Sequence, residues 1–211
     1  MQANSFFTQQ GGLYLVCDGE ACAKAGIRPT DFIAGALAGG ARIFQYRHKN
    51  ISATEYAELL HPLAVLCAGA GALLIVNDHA AVAETLGLPL HLGQDDALPR
   101  QLSVPYGRST HNFAELATAL AATPQPAYLA LGTMFVSPTK PDVPQARGLV
   151  VEYLVRTPLP LVLIGGITLE NVKLLPRSER VFYAVIGDAF RFGATREGIC
   201  EYAMKWRTTV V

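Results

Sequence analysis

Basic side chains gather at two places in a chain otherwise poor in charge: Arg47 and Lys49 within Gln45-Tyr46-Arg47-His48-Lys49, and Lys140 within Ser137-Pro138-Thr139-Lys140. A guanidinium offers a bidentate fork and ammonium groups act as point charges, so the three together suit a phosphate or pyrophosphate. A helix dipole disfavours cations in its first turn, and Arg47 and Lys49 therefore need an anionic partner if a helix starts close by. Carboxylates stand nearby in the sequence, Asp78 after Asn77 and the pair Asp95-Asp96 after Gly93-Gln94. These are hard oxygen donors of the kind Mg²⁺ takes one or two of, with substrate phosphates and waters completing its shell. Helix capping is the plainer role for Asp78, Asp95 or Asp96. Two acidic segments beside a basic one favour a metal-bridged phosphate, with Asp96 preferred over Asp95 as ligand.

Four of the five histidines, His48, His79, His91 and His111, fall among the same segments. They lack the spacing of a zinc site, so hydrogen bonding or packing is their expected role. His111, with Ser109 and Thr110, is a candidate cap for the helix that follows. Gly165-Gly166 would let backbone amides approach a ligand, or simply make a tight turn.

The elements that must position these residues read clearly. Eight short runs rich in β-branched or aromatic residues occur at 13–17, 41–46, 72–76, 89–92, 104–109, 128–131, 161–164 and 181–186. Between most of them lie Ala- and Leu-rich segments of helical spacing, at 31–38, 54–68, 80–86, 112–121, 149–156, 169–175 and 195–206; the stretch 97–102 is the exception. Strands apolar throughout imply burial on both faces, and alternation with helices implies parallel crossover units. Eight such units predict a single (β/α)8 TIM barrel over residues 1–211, with 1–12 a mobile N-terminal extension. A doubly wound open sheet is the alternative. In a barrel the loops after the strands open on one face, and the polar clusters above would converge there.

Composition narrows the field of functions. The 211 residues are 51% hydrophobic and 16% charged, with 17 basic and 17 acidic side chains. Disorder is excluded, and no general field exists to draw a nucleic acid. The four cysteines, Cys17, Cys22, Cys67 and Cys200, form no C-x-x-C pair and suit reduced thiols. The N-terminus has no secretory pattern, and the run 63–76 is too short to span a bilayer and contains Gly69 and Gly71. A cytoplasmic protein without membrane or nucleic-acid partners is expected, with homo-oligomerisation left open.

The combined motifs resemble the thiamine-phosphate synthase and thiazole tautomerase family. The resemblance runs from Leu13-Tyr14-Leu15-Val16 through Gln45-Tyr46-Arg47-His48-Lys49, Ile75-Val76-Asn77-Asp78, His91-Leu92-Gly93-Gln94-Asp95-Asp96, Gly107-Arg108-Ser109-Thr110-His111 and Phe135-Val136-Ser137-Pro138-Thr139-Lys140 to Ile164-Gly165-Gly166-Ile167. The Asn-Asp and Gln-x-Asp motifs favour the synthase branch. The resemblance implies a transferase that joins hydroxymethylpyrimidine diphosphate to thiazole phosphate and releases pyrophosphate. It implies that Gln45, Arg47, Lys49, Asn77, Ser109 and Lys140 contact the diphosphate substrate, with Tyr46 and His48 in the same segment, and that Asp78 and Asp96 hold Mg²⁺. It places Ser137, Thr139, Gly166, Ile186 and Gly187 toward the thiazole phosphate, and gives Arg47, Lys49 and Lys140 the catalytic task of stabilising the leaving pyrophosphate. No G-x-S-x-G elbow exists, so Ser109 reads as a ligand donor rather than a nucleophile.

One departure stands out. Where the family has serine after the eighth strand, this chain has Gly187 followed by Asp188, and Phe182-Tyr183-Ala184 lacks the usual glycine-rich approach. An acidic side chain pointing into the site would repel phosphate. This departure motivates one alternative, a catalytically silent barrel that binds a thiamine-related phosphate; a cofactor-free thiazole tautomerase with His111 as acid/base is the other.

Overall fold

The computed structural model describes Phe7, residues 12–136 and residues 144–210. Eight parallel strands close in chain order into a barrel: β1 (Leu13–Asp18), β2 (Ile43–Arg47), β3 (Leu73–Asn77), β4 (Leu90–Leu92), β5 (Tyr106–Thr110), β6 (Tyr128–Gly132), β7 (Leu161–Ile164) and β8 (Val181–Val185). Closure is made by β8 against β1, in the register Leu13 to Tyr183 through Leu15 to Val185. The open-sheet alternative is thereby excluded. Seven α-helices are described: α1 (Gly19–Ala25), α2 (Pro29–Ala38), α3 (Ala53–Gly69), α4 (Ala80–Leu86), α5 (Phe113–Ala121), α6 (Val150–Arg156) and α7 (Arg196–Val210).

The apolar strands serve two cores because side chains alternate across a strand. Tyr14, Val16, Ile43, Leu73, Ile75 and Tyr128 belong to a cluster inside the barrel, where Phe7 also packs, while Leu15, Cys17, Phe44, Tyr46, Leu74 and Val76 belong to the layer under the helices. The same alternation carries the inward phase on to Asp18, Gln45 and Asn77 near the C-terminal ends of β1, β2 and β3. Polar residues thus arrive at the mouth by register alone.

Local signals explain the helices. Ser52 and Glu55 form a reciprocal capping box at the start of α3, and Gly26 ends α1 with φ of 75°. Helix α1 lies outside the segments expected from the sequence: seven residues beginning directly after a strand give little periodicity to read. The helix expected over 169–175 is reduced to a 3₁₀ turn, Val172–Leu174. There Thr168 and Asn171 bond each other's backbone, Thr168 N to Asn171 Oδ1 at 2.8 Å and Asn171 N to Thr168 Oγ1 at 3.2 Å, and Pro176 holds Leu175 extended. Among the described residues no helix is long and apolar enough to cross a membrane, and all four cysteines are free thiols.

Candidate active site

Asp18 closes β1 almost fully buried; its Oδ1 accepts from Ala21 N at 2.9 Å, capping α1, and its Oδ2 forms an ion pair with the Arg47 guanidinium at the end of β2. Arg47 is therefore held at the rim, and α3 begins only at Ala53, so neither Arg47 nor Lys49 lies in a helix. The sequence reading missed Asp18, although an aspartate between an apolar strand and a Gly-Glu helix start is an N-cap signal.

Tyr46 is not brought to the mouth. Alternation turns it outward, fully buried in the helix layer, with its hydroxyl 3.3 Å from His48 Nδ1. His48 leans on Gly19, where a Cβ would sit 2.6 Å from the ring nitrogen. Behind them Tyr56 of α3 ties two strand ends together, donating to Tyr46 O at 2.6 Å and accepting from Asn77 N at 3.1 Å.

Asp78 follows β3 in the left-handed region, at φ 63°, and does not cap a helix: the residue before α4 is His79, with no side-chain cap. Asp96 comes from the loop after β4, where its Oδ2 accepts from Gly93 N at 2.6 Å. No helix follows it. Arg108 of β5 pins that loop through the carbonyls of Asp96 and Gln94, each at 2.7 Å. The two carboxyls lie close to each other, and partial burial followed by the nearby Asp96 charge raises the pKa of Asp78, against the opposing pull of Asn77 and Lys49. Two facing carboxyls that repel each other suit a divalent cation. Among the described residues no group of three or more His, Cys, Asp or Glu side chains converges, so such an ion would complete its shell with substrate oxygens and water.

Beneath the mouth, His91 Nδ1 lies 2.8 Å from Tyr128 Oη and His91 Nε2 lies 3.0 Å from Ser109 Oγ. Burial pushes the His91 imidazole down to about 4, so it is neutral near pH 7. The capping role expected of Ser109, Thr110 and His111 falls to Asn112, whose Oδ1 accepts from Glu115 N at 3.0 Å. Thr110 bonds Ala130 O at 3.1 Å instead, and His111 Nδ1 lies 3.0 Å from Glu115 Oε2.

On the far side, Gly165 and Gly166 have φ of 104° and 61°, and a Cβ on Gly166 would lie 2.8 Å from the carbonyl oxygens of Phe135 and Val136. Both glycines are thus demanded by the turn and by its contact with the loop after β6. Ser137, Thr139 and Lys140 lie outside the described residues. Ile186 precedes a 3₁₀ turn, Gly187–Phe190, and Gly187 faces open space. Asp188 turns its carboxylate onto Leu169 N and the Tyr202 hydroxyl, each 3.0 Å from Oδ2, and onto Arg191 at 2.7 Å from Oδ1. It is neutralised there rather than aimed as a bare charge at the mouth.

A closed (β/α)8 barrel whose mouth sets arginine and lysine beside two facing carboxyls has the form of an enzyme for phosphorylated small molecules. A family model described as thiamine monophosphate synthase matches residues 13–189. The chain belongs to that family. It is similar in fold to thiamine phosphate pyrophosphorylase from Pyrococcus furiosus, at 24% identity and a TM-score of 0.77, with 96% of each chain covered. The corresponding protein from Bacteroides thetaiotaomicron gives 14% identity and 0.64 over 94% of this chain and 96% of that one. A 2-keto-3-deoxy-6-phosphogluconate aldolase from Zymomonas mobilis gives 13% and 0.68 over 98% and 96%, a likeness of fold.

Proposed function

We propose that this chain joins hydroxymethylpyrimidine diphosphate to thiazole phosphate, forming thiamine phosphate and pyrophosphate. The observation that carries the reading is the facing pair Asp78 and Asp96 beside the cationic rim of Arg47 and Lys49. In this reaction the bond between the pyrimidine methylene and the diphosphate oxygen breaks, and the departing pyrophosphate keeps the electron pair. The thiazole nitrogen then supplies its lone pair to the methylene, so the reaction needs no protein nucleophile and moves no proton.

The chain's residues act on the charge that develops. Arg47, oriented by Asp18, and Lys49 stabilise the leaving pyrophosphate, with Lys140 assigned the same role. Asp78 and Asp96 would hold Mg²⁺, which when bound neutralises charge on the diphosphate. Gln45, Asn77 and Ser109 orient the first substrate from β2, β3 and β5. Gly166, Ile186 and Gly187, with Ser137 and Thr139, receive the thiazole phosphate; the inward bonding of Asp188 removes the repulsion that would favour a silent barrel.

Purified protein incubated with both substrates and Mg²⁺ should release thiamine phosphate and pyrophosphate in equal amounts. Absence of product at high enzyme concentration overturns the proposal. Turnover of a thiazole carboxylate phosphate without metal, undiminished in Asp78→Ala, would establish the tautomerase instead.

A further inference from the structure

Five polar side chains from five strands join end to end inside the barrel. Gln45 Nε2 donates to the Tyr14 hydroxyl at 2.9 Å, and that hydroxyl lies 3.0 Å from the hydroxyl of Tyr128. Tyr128 continues to His91 Nδ1 at 2.8 Å, and His91 Nε2 reaches Ser109 Oγ at 3.0 Å. Tyr14, Tyr128 and His91 are buried, whereas Ser109 is half-exposed at the mouth. The path exists because β5 offers Gly107 beneath the Tyr128 ring: a Cβ there would lie 2.0 Å from Tyr128 Cζ.

The chain has one sense. Each hydroxyl carries a single proton and a neutral imidazole a single N–H, and a buried proton needs an acceptor, so the donor at one end fixes every donor after it. With the Gln45 amide donating to Tyr14, the buried Tyr14 proton has the Tyr128 oxygen as its acceptor, and Tyr128 in turn gives its proton to His91 Nδ1. The imidazole proton then sits on Nε2 and is given to Ser109 Oγ. Ser109 is left with its own proton free for a group above it.

We infer that Tyr14, Tyr128 and His91 are positioning residues whose one-way hydrogen-bond chain keeps His91 as the Nε2–H tautomer and Ser109 as a donor toward the ligand. The consequence for the ligand rests on the proposed diphosphate site. A diphosphate oxygen only accepts, and a serine whose proton was spent on His91 would meet it lone pair to lone pair. Gln45 and Ser109, on separate strands at the mouth, are thus coupled through the barrel interior. A fully satisfied buried network also holds its members in one arrangement.

The test begins without substrate. Nitrogen-15 NMR of the ligand-free full chain with labelled histidine should show His91 protonated at Nε2 and bare at Nδ1 at neutral pH; an Nδ1–H tautomer overturns the chain of donors. Tyr128→Phe keeps the ring stacked on Phe7, 4.6 Å away, and deletes only the hydroxyl. It should mix the two His91 tautomers and raise KM for the pyrimidine diphosphate about ten-fold, the worth of one hydrogen bond, with kcat changed less than about three-fold. An unchanged tautomer and KM overturn the inference. Should Tyr128→Phe fail to fold, Gln45→Glu decides: a carboxylate accepts only, so His91 should switch to Nδ1–H, and no switch refutes the coupling. Failure of the NMR arm counts against the chain of donors alone, whereas absence of product from the wild type counts against the synthase reading.

Discussion

Asp18 and Arg47 form an ion pair across the ends of β1 and β2, with 8% of the aspartate side chain and 26% of the arginine exposed. The carboxylate is shared with the start of α1, so one side chain sets both a helix and the direction of a rim cation. Asp18→Ala should cost about 1 kcal/mol through the lost cap, read by urea denaturation. It should also lower kcat/KM for the pyrimidine diphosphate about ten-fold. Asp18→Asn keeps a capping oxygen and should retain stability while still losing activity, because the charge that orients Arg47 is gone.

Gly107 owes its place to Tyr128, not to backbone freedom. Gly107→Ala would drive a Cβ into the phenol ring, 2.0 Å from its Cζ, and overpacking of this kind costs about 1–3 kcal/mol. The expected result is a lowered urea midpoint together with a displaced His91 signal in NMR.

Asp188 and Gly187 should separate cleanly. Asp188 accepts from Leu169 N, from Tyr202 and from Arg191, and Asp188→Ala should destabilise the fold by about 2 kcal/mol by leaving the buried donors unpaired. Gly187→Ser adds a side chain where a Cβ meets nothing within 4 Å, so stability should stay within about 0.5 kcal/mol. Thiazole phosphate should bind that variant at least as tightly as the wild type in calorimetry.

His91 gives the fold an acid-sensitive element. Its imidazole drops from an ordinary value of 6.5 to about 4 on folding, chiefly by burial, so between those values the unfolded chain binds more protons than the folded one. Stability therefore rises with pH across that window and is lost on acidification from about 6.5 toward 4. The full span corresponds to about 3 kcal/mol. His91→Asn should flatten this part of the stability profile measured by denaturant titration from pH 4 to 7.

Much of the site was legible before folding. The segment ends at Arg47, Asn77, Asp78, His91 and Ser109 all lie at a strand terminus in the structure or within one residue of it. Tyr46 was misplaced toward the substrate because a motif reads as a continuous string, while a strand sends neighbours to opposite faces; its partners are Tyr56 and His48. Asp18 and Arg108 escaped notice because their role is to hold another residue, Arg47 in one case and the Asp96 loop in the other. A positioning role leaves no composition signature of its own.

The residue order by itself determined most of the element types and their alternation, since continuous apolar runs and segments with period 3.6 are local properties of a chain. Only the tertiary structure decided which side chains meet. Tyr14 and Tyr128 are 114 residues apart, and their hydrogen bond exists because eight strands close into a ring at one register. The direction of Asp188 was decided the same way: a carboxylate at a barrel mouth goes to whichever donors surround it, and here those are supplied by a helix 14 residues further along and a loop 19 residues before it.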